Sequence, residues 1–198
     1  MRVLVTGFEP FLQLGWNPSQ EMVEVLRGRE WGEGVVVRGE VLKVEYERAA
    51  ARVVELMEEF EPDVVLSVGV AAKTEEIRLE RVAININDSI HLDNAGEVRR
   101  GRRIVVEGPE AYFSTLPVDE LRELLVVGES GVVVSNHAGA YVCNHVFYTA
   151  LHHAGRMGRK PVCGFLHVPL WERGGSERGV AVLEGVIGYL RGGVGRES

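Results

Sequence analysis

Cysteine, lysine and glutamine are scarce in this chain. Cys143 and Cys163 are its only cysteines in 198 residues. Two thiols cannot build a disulfide framework. The lysines are Lys43, Lys73 and Lys160, and every other basic residue is arginine. Positive charge is in deficit: 22 Lys+Arg against 29 Asp+Glu gives a net charge of −7. That balance argues against nucleic acid or an anionic membrane as partner, because both require clustered cations. No apolar run approaches the ~20 residues of a membrane span. The chain opens on Arg2-Val3-Leu4-Val5-Thr6-Gly7, which reads as a strand and its turn rather than as a secretion signal. A cytoplasmic protein with both thiols reduced is therefore expected. Asn87-Asp88-Ser89 fits a glycosylation site, a chance match in that compartment. Phosphate-binding glycine loops are also missing. Gly7-Phe8-Glu9-Pro10-Phe11 cannot wrap a pyrophosphate, so nucleotide binding of those types is not expected.

What is present is a globular composition, with 45% apolar and 26% charged residues. The pattern alternates strands and helices. Val3–Thr6, Gly34–Val41, Asp63–Val68, Gly131–Val134 and Val162–Val168 read as strands. Helices are predicted from Pro18-Ser19, over Tyr46–Phe60, Val118–Val127, Val142–Ala154 and Val180–Leu190. In Tyr46–Phe60 the apolar positions Ala49, Val53, Leu56, Met57 and Phe60 recur every three or four residues, and Pro62 stops the helix. Ile77 to Ile84 reads as extended with a break near Glu80-Arg81. Residues 85–115 read as a long loop or hairpin region, with a short strand at Ile104–Val106. The tail 192–198 is expected to fray. This pattern implies a single α/β domain over 1–198: an α/β/α sandwich around a twisted, mostly parallel sheet. Sites in such folds lie beyond the carboxyl ends of strands, here Gly7–Phe11, Gly69–Thr74, Asn136–Cys143 and His167–Pro169.

His145, His152 and His153 share one helix, but at spacings of 7, 8 and 1 they cannot converge on one ion. No metal and no cofactor are expected. Cys143 is more informative. It follows a strand and a small-residue turn and falls in the first turn of a helix. Unsatisfied N–H groups there stabilise a thiolate and make it nucleophilic. The same position also suits a buried structural thiol, and geometry alone leaves both open. Cys163, inside a strand, reads as core filling. A nucleophilic thiol needs a base within hydrogen-bond reach. His145 faces away from Cys143 on the same helix, so the base must come from elsewhere. His167 ends a buried strand just before Pro169 and is preferred; His137 and His91 are rivals. Glu80 stands in an apolar stretch between Arg78 and Arg81, and an ion pair with either arginine is the bland account of it.

Seven segments together resemble one family. They are Val3-Leu4-Val5-Thr6-Gly7-Phe8-Glu9-Pro10-Phe11 with Asn17-Pro18; Leu79-Glu80-Arg81-Val82-Ala83-Ile84-Asn85; Asp93-Asn94-Ala95-Gly96; Ala111-Tyr112-Phe113-Ser114-Thr115-Leu116-Pro117; Ser135-Asn136 through Ala138-Gly139-Ala140-Tyr141-Val142-Cys143-Asn144; Leu151-His152-His153; and Gly164-Phe165-Leu166-His167-Val168-Pro169. In order and spread they resemble pyroglutamyl peptidase I, also called pyrrolidone carboxyl peptidase, a family of cysteine peptidases. The resemblance implies a catalytic triad of Glu80, Cys143 and His167. It implies an apolar substrate slot of Phe8, Phe11, Val70 and Val142. It also implies an exopeptidase that removes N-terminal pyroglutamate from small peptides without a cofactor, assembled as a homotetramer or dimer. The rim departs from the family pattern. Leu12-Gln13 replace two glycines. Val70-Ala71-Ala72-Lys73-Thr74 replaces a glycine-rich loop with an arginine. His137 replaces a Ser or Thr, and Ile90-His91-Leu92 replaces an Arg-hydrophobic-Pro run. His91 or Lys73 is therefore expected to supply the missing cation. Two alternatives stay open: a cysteine amidase of shifted specificity, and a non-catalytic relative that binds a cyclic amide or a protein.

Overall fold

The computed structural model describes residues 1–11, 14–125 and 131–193. The elements in chain order are β1 (Arg2–Phe8), α1 (Pro18–Arg27), β2 (Val36–Leu42), α2 (Tyr46–Phe60), β3 (Val64–Val70), β4 (Ile77–Glu80), β5 (Val82–Ile84), β6 (Ala111–Phe113), α3 (Val118–Leu124), β7 (Val132–Ser135), α4 (Val142–Ala154), β8 (Val162–Val168) and α5 (Glu177–Gly193). Six strands form one sheet in the order β2-β1-β3-β8-β4-β7. The β2, β1, β3 and β8 strands run parallel. Among the described residues, β4–β8 is the one antiparallel pairing of this sheet, and β7 then runs parallel to β4. The sheet is thus mostly parallel, with a reversed two-stranded edge. That reversal carries Glu80 back along β8 instead of beyond the sheet's end, opposite Phe165.

Helices cover both faces, giving the expected three layers. Along β1 the alternation sends Val3 and Val5 to one side and Leu4 and Phe8 to the other. The first pair joins a core with Met22, Leu26, Leu183 and Ile187 from α1 and α5. The second joins Val53, Leu56, Val146 and Phe147 from α2 and α4. A strand buried on both faces has no polar side to show, which is why β3 reads as a continuous apolar run. Asn17 caps α1 by accepting the Ser19 N–H at 2.9 Å, with Pro18 at the first helical position. Before Pro62, Glu61 turns left-handed at φ 42° and ends α2.

Three expectations need correction. No strand forms at Ile104–Val106; the strand is Ala111–Phe113, paired antiparallel with β5. The physical reason is Asn85. Its Oδ1 accepts the Ile104 and Val105 N–H groups, both at 2.9 Å, and its Nδ2 donates to the Val105 carbonyl at 2.7 Å. One side chain satisfies backbone groups that a strand partner would otherwise take, and Val106 is 75% exposed. The helix from Val118 ends at Leu124, where the Leu125 N–H caps it; 126–127 of the predicted span lie outside the described residues. Gly192 and Gly193 belong to α5 rather than to a frayed end, and 194–198 lie outside the described residues.

Candidate active site

The site begins with one rung of the sheet. Gly69 of β3 is in register with His167 of β8, and His167 is directly opposite Arg78 of β4. Paired residues project from the same face, with strands about 4.8 Å apart. Gly69 leaves a gap in this row. A Cβ added there would lie 2.7 Å from Cys143 Sγ and 3.0 Å from Phe165 Cζ. The sulfur therefore occupies the space a side chain at 69 would fill, one strand from the imidazole.

Glu80 is the diagonal neighbour of His167 on the same face. Its Oε1 is 2.8 Å from His167 Nδ1. The two side chains are 1% and 8% exposed. The carboxylate accepts from Nδ1–H, which fixes the ring and aims Nε2 toward the thiol. Burial pushes the His167 pKa down, but hydrogen bonding to Cys143 and Glu80 and their negative charge outweigh it, and the pKa rises to about 9. The imidazole is then cationic at neutral pH. Glu80 Oε2 has no hydrogen-bond partner among the described residues. The bland ion pair is not formed: Arg81 reaches instead to Asn136 Oδ1 at 2.8 Å and to Asp119.

Cys143 arrives from the other layer, in the first turn of α4. The N-cap residue Tyr141 makes no side-chain cap hydrogen bond. The start of α4 is anchored through Asn144. Its Oδ1 accepts the Ile84 N–H at 3.0 Å, and its Nδ2 donates to the Ile84 and Ile86 carbonyls at 2.9 and 3.1 Å. Cys143 is half-buried whereas Cys163 is buried. Burial alone pushes the Cys163 thiol up to about 12, the condition of an inert core residue.

These groups open into a cavity of about 490 Å³. Phe8, Phe11, Val70 and Val142 line it as an apolar wall, beside Glu80, Cys143 and His167. The rim residues Lys73, His91 and His137 also line it. His137, the rival base, is exposed, and its Nδ1 accepts the Gly139 N–H at 2.9 Å. His91 rides on a loop held down by two neighbours. Asp93 accepts the Tyr46, Ala95 and Glu97 N–H groups, and Asn94 Nδ2 donates to Glu9 and to the Pro10 carbonyl. The remaining histidines are engaged elsewhere: His145 with Asn87, His152 with the Tyr112 hydroxyl, and His153 near Glu58. Asn87, of the apparent glycosylation triplet, is buried against His145.

Sequence reasoning missed Arg78 as a lining residue. The sequence suggests an ion pair of Glu80 with Arg78 or Arg81, although strand alternation puts positions 78 and 80 on one face. The contact between Gly69 and Cys143 had no signal in the sequence, since it joins two layers.

A profile of the pyroglutamyl peptidase family matches residues 1–174. The chain is 39% identical over 168 residues to the pyrrolidone-carboxylate peptidase of Oceanobacillus iheyensis, covering 85% of this chain and 83% of that one. It is 43% identical over 167 residues to the Pectobacterium carotovorum pyrrolidone-carboxylate peptidase, covering 84% and 77%. The crystal structure of pyrrolidone carboxyl peptidase from Pyrococcus furiosus superposes with a TM-score of 0.90 at 33% identity, covering 96% of this chain and 97% of that one. With the family's motifs spread along the chain and its fold reproduced around one cavity, this chain belongs to the pyroglutamyl peptidase family.

Proposed function

We propose that this protein is a cysteine exopeptidase that removes N-terminal pyroglutamate from small peptides, with Cys143 as nucleophile, His167 as acid and base, and Glu80 as the group that orients His167. The observation carrying this reading is the buried 2.8 Å pair of Glu80 and His167 beside a half-buried thiol at a helix start. The lactam ring of pyroglutamate is small, flat and uncharged, and a slot of Phe8, Phe11, Val70 and Val142 suits it by apolar contact. The thiolate adds to the carbonyl carbon that joins pyroglutamate to the next residue, forming a C–S bond. The oxyanion is met by the Cys143 backbone N–H at the start of α4, with Lys73 or His91 adding positive charge from the rim. The C–N bond breaks as imidazolium delivers its proton to the departing amine. Neutral His167 then takes a proton from water, hydroxide adds to the thioester, and the C–S bond breaks to release free pyroglutamate and the thiolate. We place this chemistry in the cytoplasm, where such a thiol stays reduced.

The test is hydrolysis of a fluorogenic pyroglutamyl amide beside prolyl and alanyl amides. The native enzyme is expected to act on the pyroglutamyl compound by a wide margin. Cys143→Ser is expected to lose at least about 10³-fold in turnover, the scale of a removed nucleophile. Equal rates on the three amides would indicate an amidase of shifted specificity. No turnover, together with ordinary iodoacetamide reactivity of Cys143 at pH 7, would overturn the catalytic assignment.

A further inference from the structure

Most arginines of this chain are spent on carboxylates or carbonyls, but the cations at the cavity are not. Neither the Lys73 nor the Arg78 side chain makes a hydrogen bond or ion pair among the described residues, and both line the cavity. Among its described lining residues Glu80 is the sole carboxylate, and His167 occupies it. Glu75 and Glu76 lie between Lys73 and Arg78 in sequence and are exposed, but neither lines the cavity. A protein of net charge −7 thus places two cations without a partner among the described residues at its own cavity, Lys73 exposed at the rim and Arg78 deeper. Desolvating a guanidinium without a partner is costly, and Arg78 is half-buried.

The rung geometry says where this charge meets a ligand. Sγ of Cys143 stands over Gly69 on β3, His167 is the next residue along the rung on β8, and Arg78 is the next on β4. The acyl carbon under attack must sit over the sulfur, and the departing nitrogen must meet the imidazole. A line from acyl carbon to departing nitrogen therefore runs from β3 to β8, and its continuation reaches β4. The residue that leaves, not the pyroglutamyl ring, is delivered toward Arg78. Its carboxylate lies within a few bonds of the departing nitrogen, and a guanidinium is a planar fork suited to two carboxylate oxygens.

We propose that Arg78 is a specificity-determining residue that binds a carboxylate on the residue following pyroglutamate. This rests on the peptidase reading above and adds a substrate class to it: peptides with negative charge next to the scissile bond. The carboxylate has two sources, the free α-carboxylate of a pyroglutamyl dipeptide and the side chain of Asp or Glu.

The experiment compares kcat/KM for pyroglutamyl-alanine against its C-terminal amide, and for pyroglutamyl-glutamic amide against pyroglutamyl-glutamine amide. It uses the native enzyme, Arg78→Gln and Arg78→Lys. In the native enzyme at least one charged member is expected to be favoured about tenfold, with the preference falling as salt is added. The first pair assigns the α-carboxylate and the second the side chain. Arg78→Gln is expected to bring the favoured ratio to about one, and Arg78→Lys to keep part of it. Native ratios near one with brisk turnover overturn this assignment alone, whether or not the variants fold. A preference that survives Arg78→Gln also overturns it. Absence of turnover on every pyroglutamyl compound overturns the peptidase reading and this inference with it.

Discussion

Gly69 shows how much a single residue decides here. The position needs no left-handed backbone; it needs the absence of a side chain. A methyl group 2.7 Å from Cys143 Sγ is closer than non-bonded contact allows. The neighbour on the other side is Phe165 Cζ at 3.0 Å, itself packed 4.9 Å from the His167 ring. Gly69→Ala is therefore expected to push the sulfur off the imidazole and lower kcat by about a hundredfold or more, since misplacement of about 1 Å costs that much. Far-UV circular dichroism should stay native, because β3 keeps its ladder. Native turnover in Gly69→Ala would show that the sulfur has slack the structure does not suggest. At this scale the sequence was legible for Cys143, His167 and Glu80 as residue types worth weighing. It was not legible for Gly69 or Arg78, whose roles come from register across strands far apart in the chain.

Elements place the residues, and α4 carries the nucleophile. Its span was readable from the apolar positions Val146, Phe147, Ala150 and Leu151, and the structure has it at Val142–Ala154. Its docking was not readable, because that depends on Asn144. This fully buried amide makes three hydrogen bonds, two to Ile84 at the end of β5 and one to Ile86 two residues beyond it. Removing it leaves the Ile84 N–H without this partner beneath the helix. Asn144→Ala is expected to cost about 3 kcal/mol, the sum of modest net bonds and a stranded buried group. A lowered urea midpoint would register that loss. The alkylation rate of Cys143 should change in the same variant, since the helix start sets the thiol's surroundings; an unchanged midpoint would sink the account. The misread strand at Ile104–Val106 teaches the same lesson in reverse. Three β-branched residues suggested a ladder, yet Asn85 holds their backbone from one side.

For the whole molecule, two buried histidines bend stability in opposite directions with pH. Burial, aided by Arg99, lowers His145 to about 4, so the folded state keeps it neutral. Glu47 and Glu97 oppose this by their charge, and Asn87 bonds the ring. An unfolded histidine takes a proton near pH 6.5. Between pH 6.5 and 4 the unfolded chain binds a proton that the folded one refuses, and stability falls by about 3 kcal/mol through this group. His167 is raised to about 9, so its contribution is complete below pH 6.5 and is lost as pH climbs toward 9. Urea midpoints are expected to peak near pH 6.5 and decline on both sides, with His145→Gln flattening the acid side only; an acid side unchanged by that substitution would contradict the assignment. Composition, alternation and helix spacing determined the α/β class, the two cores and most element positions, because these follow from local periodicity and from apolar burial on both faces of a sheet. The motifs determined the family. The antiparallel entry of β4, the gap at Gly69 that receives a sulfur from another layer, and the place of Arg78 on the far side of His167 were decided only by tertiary structure, since strand order and register are set by contacts between segments that no local pattern records.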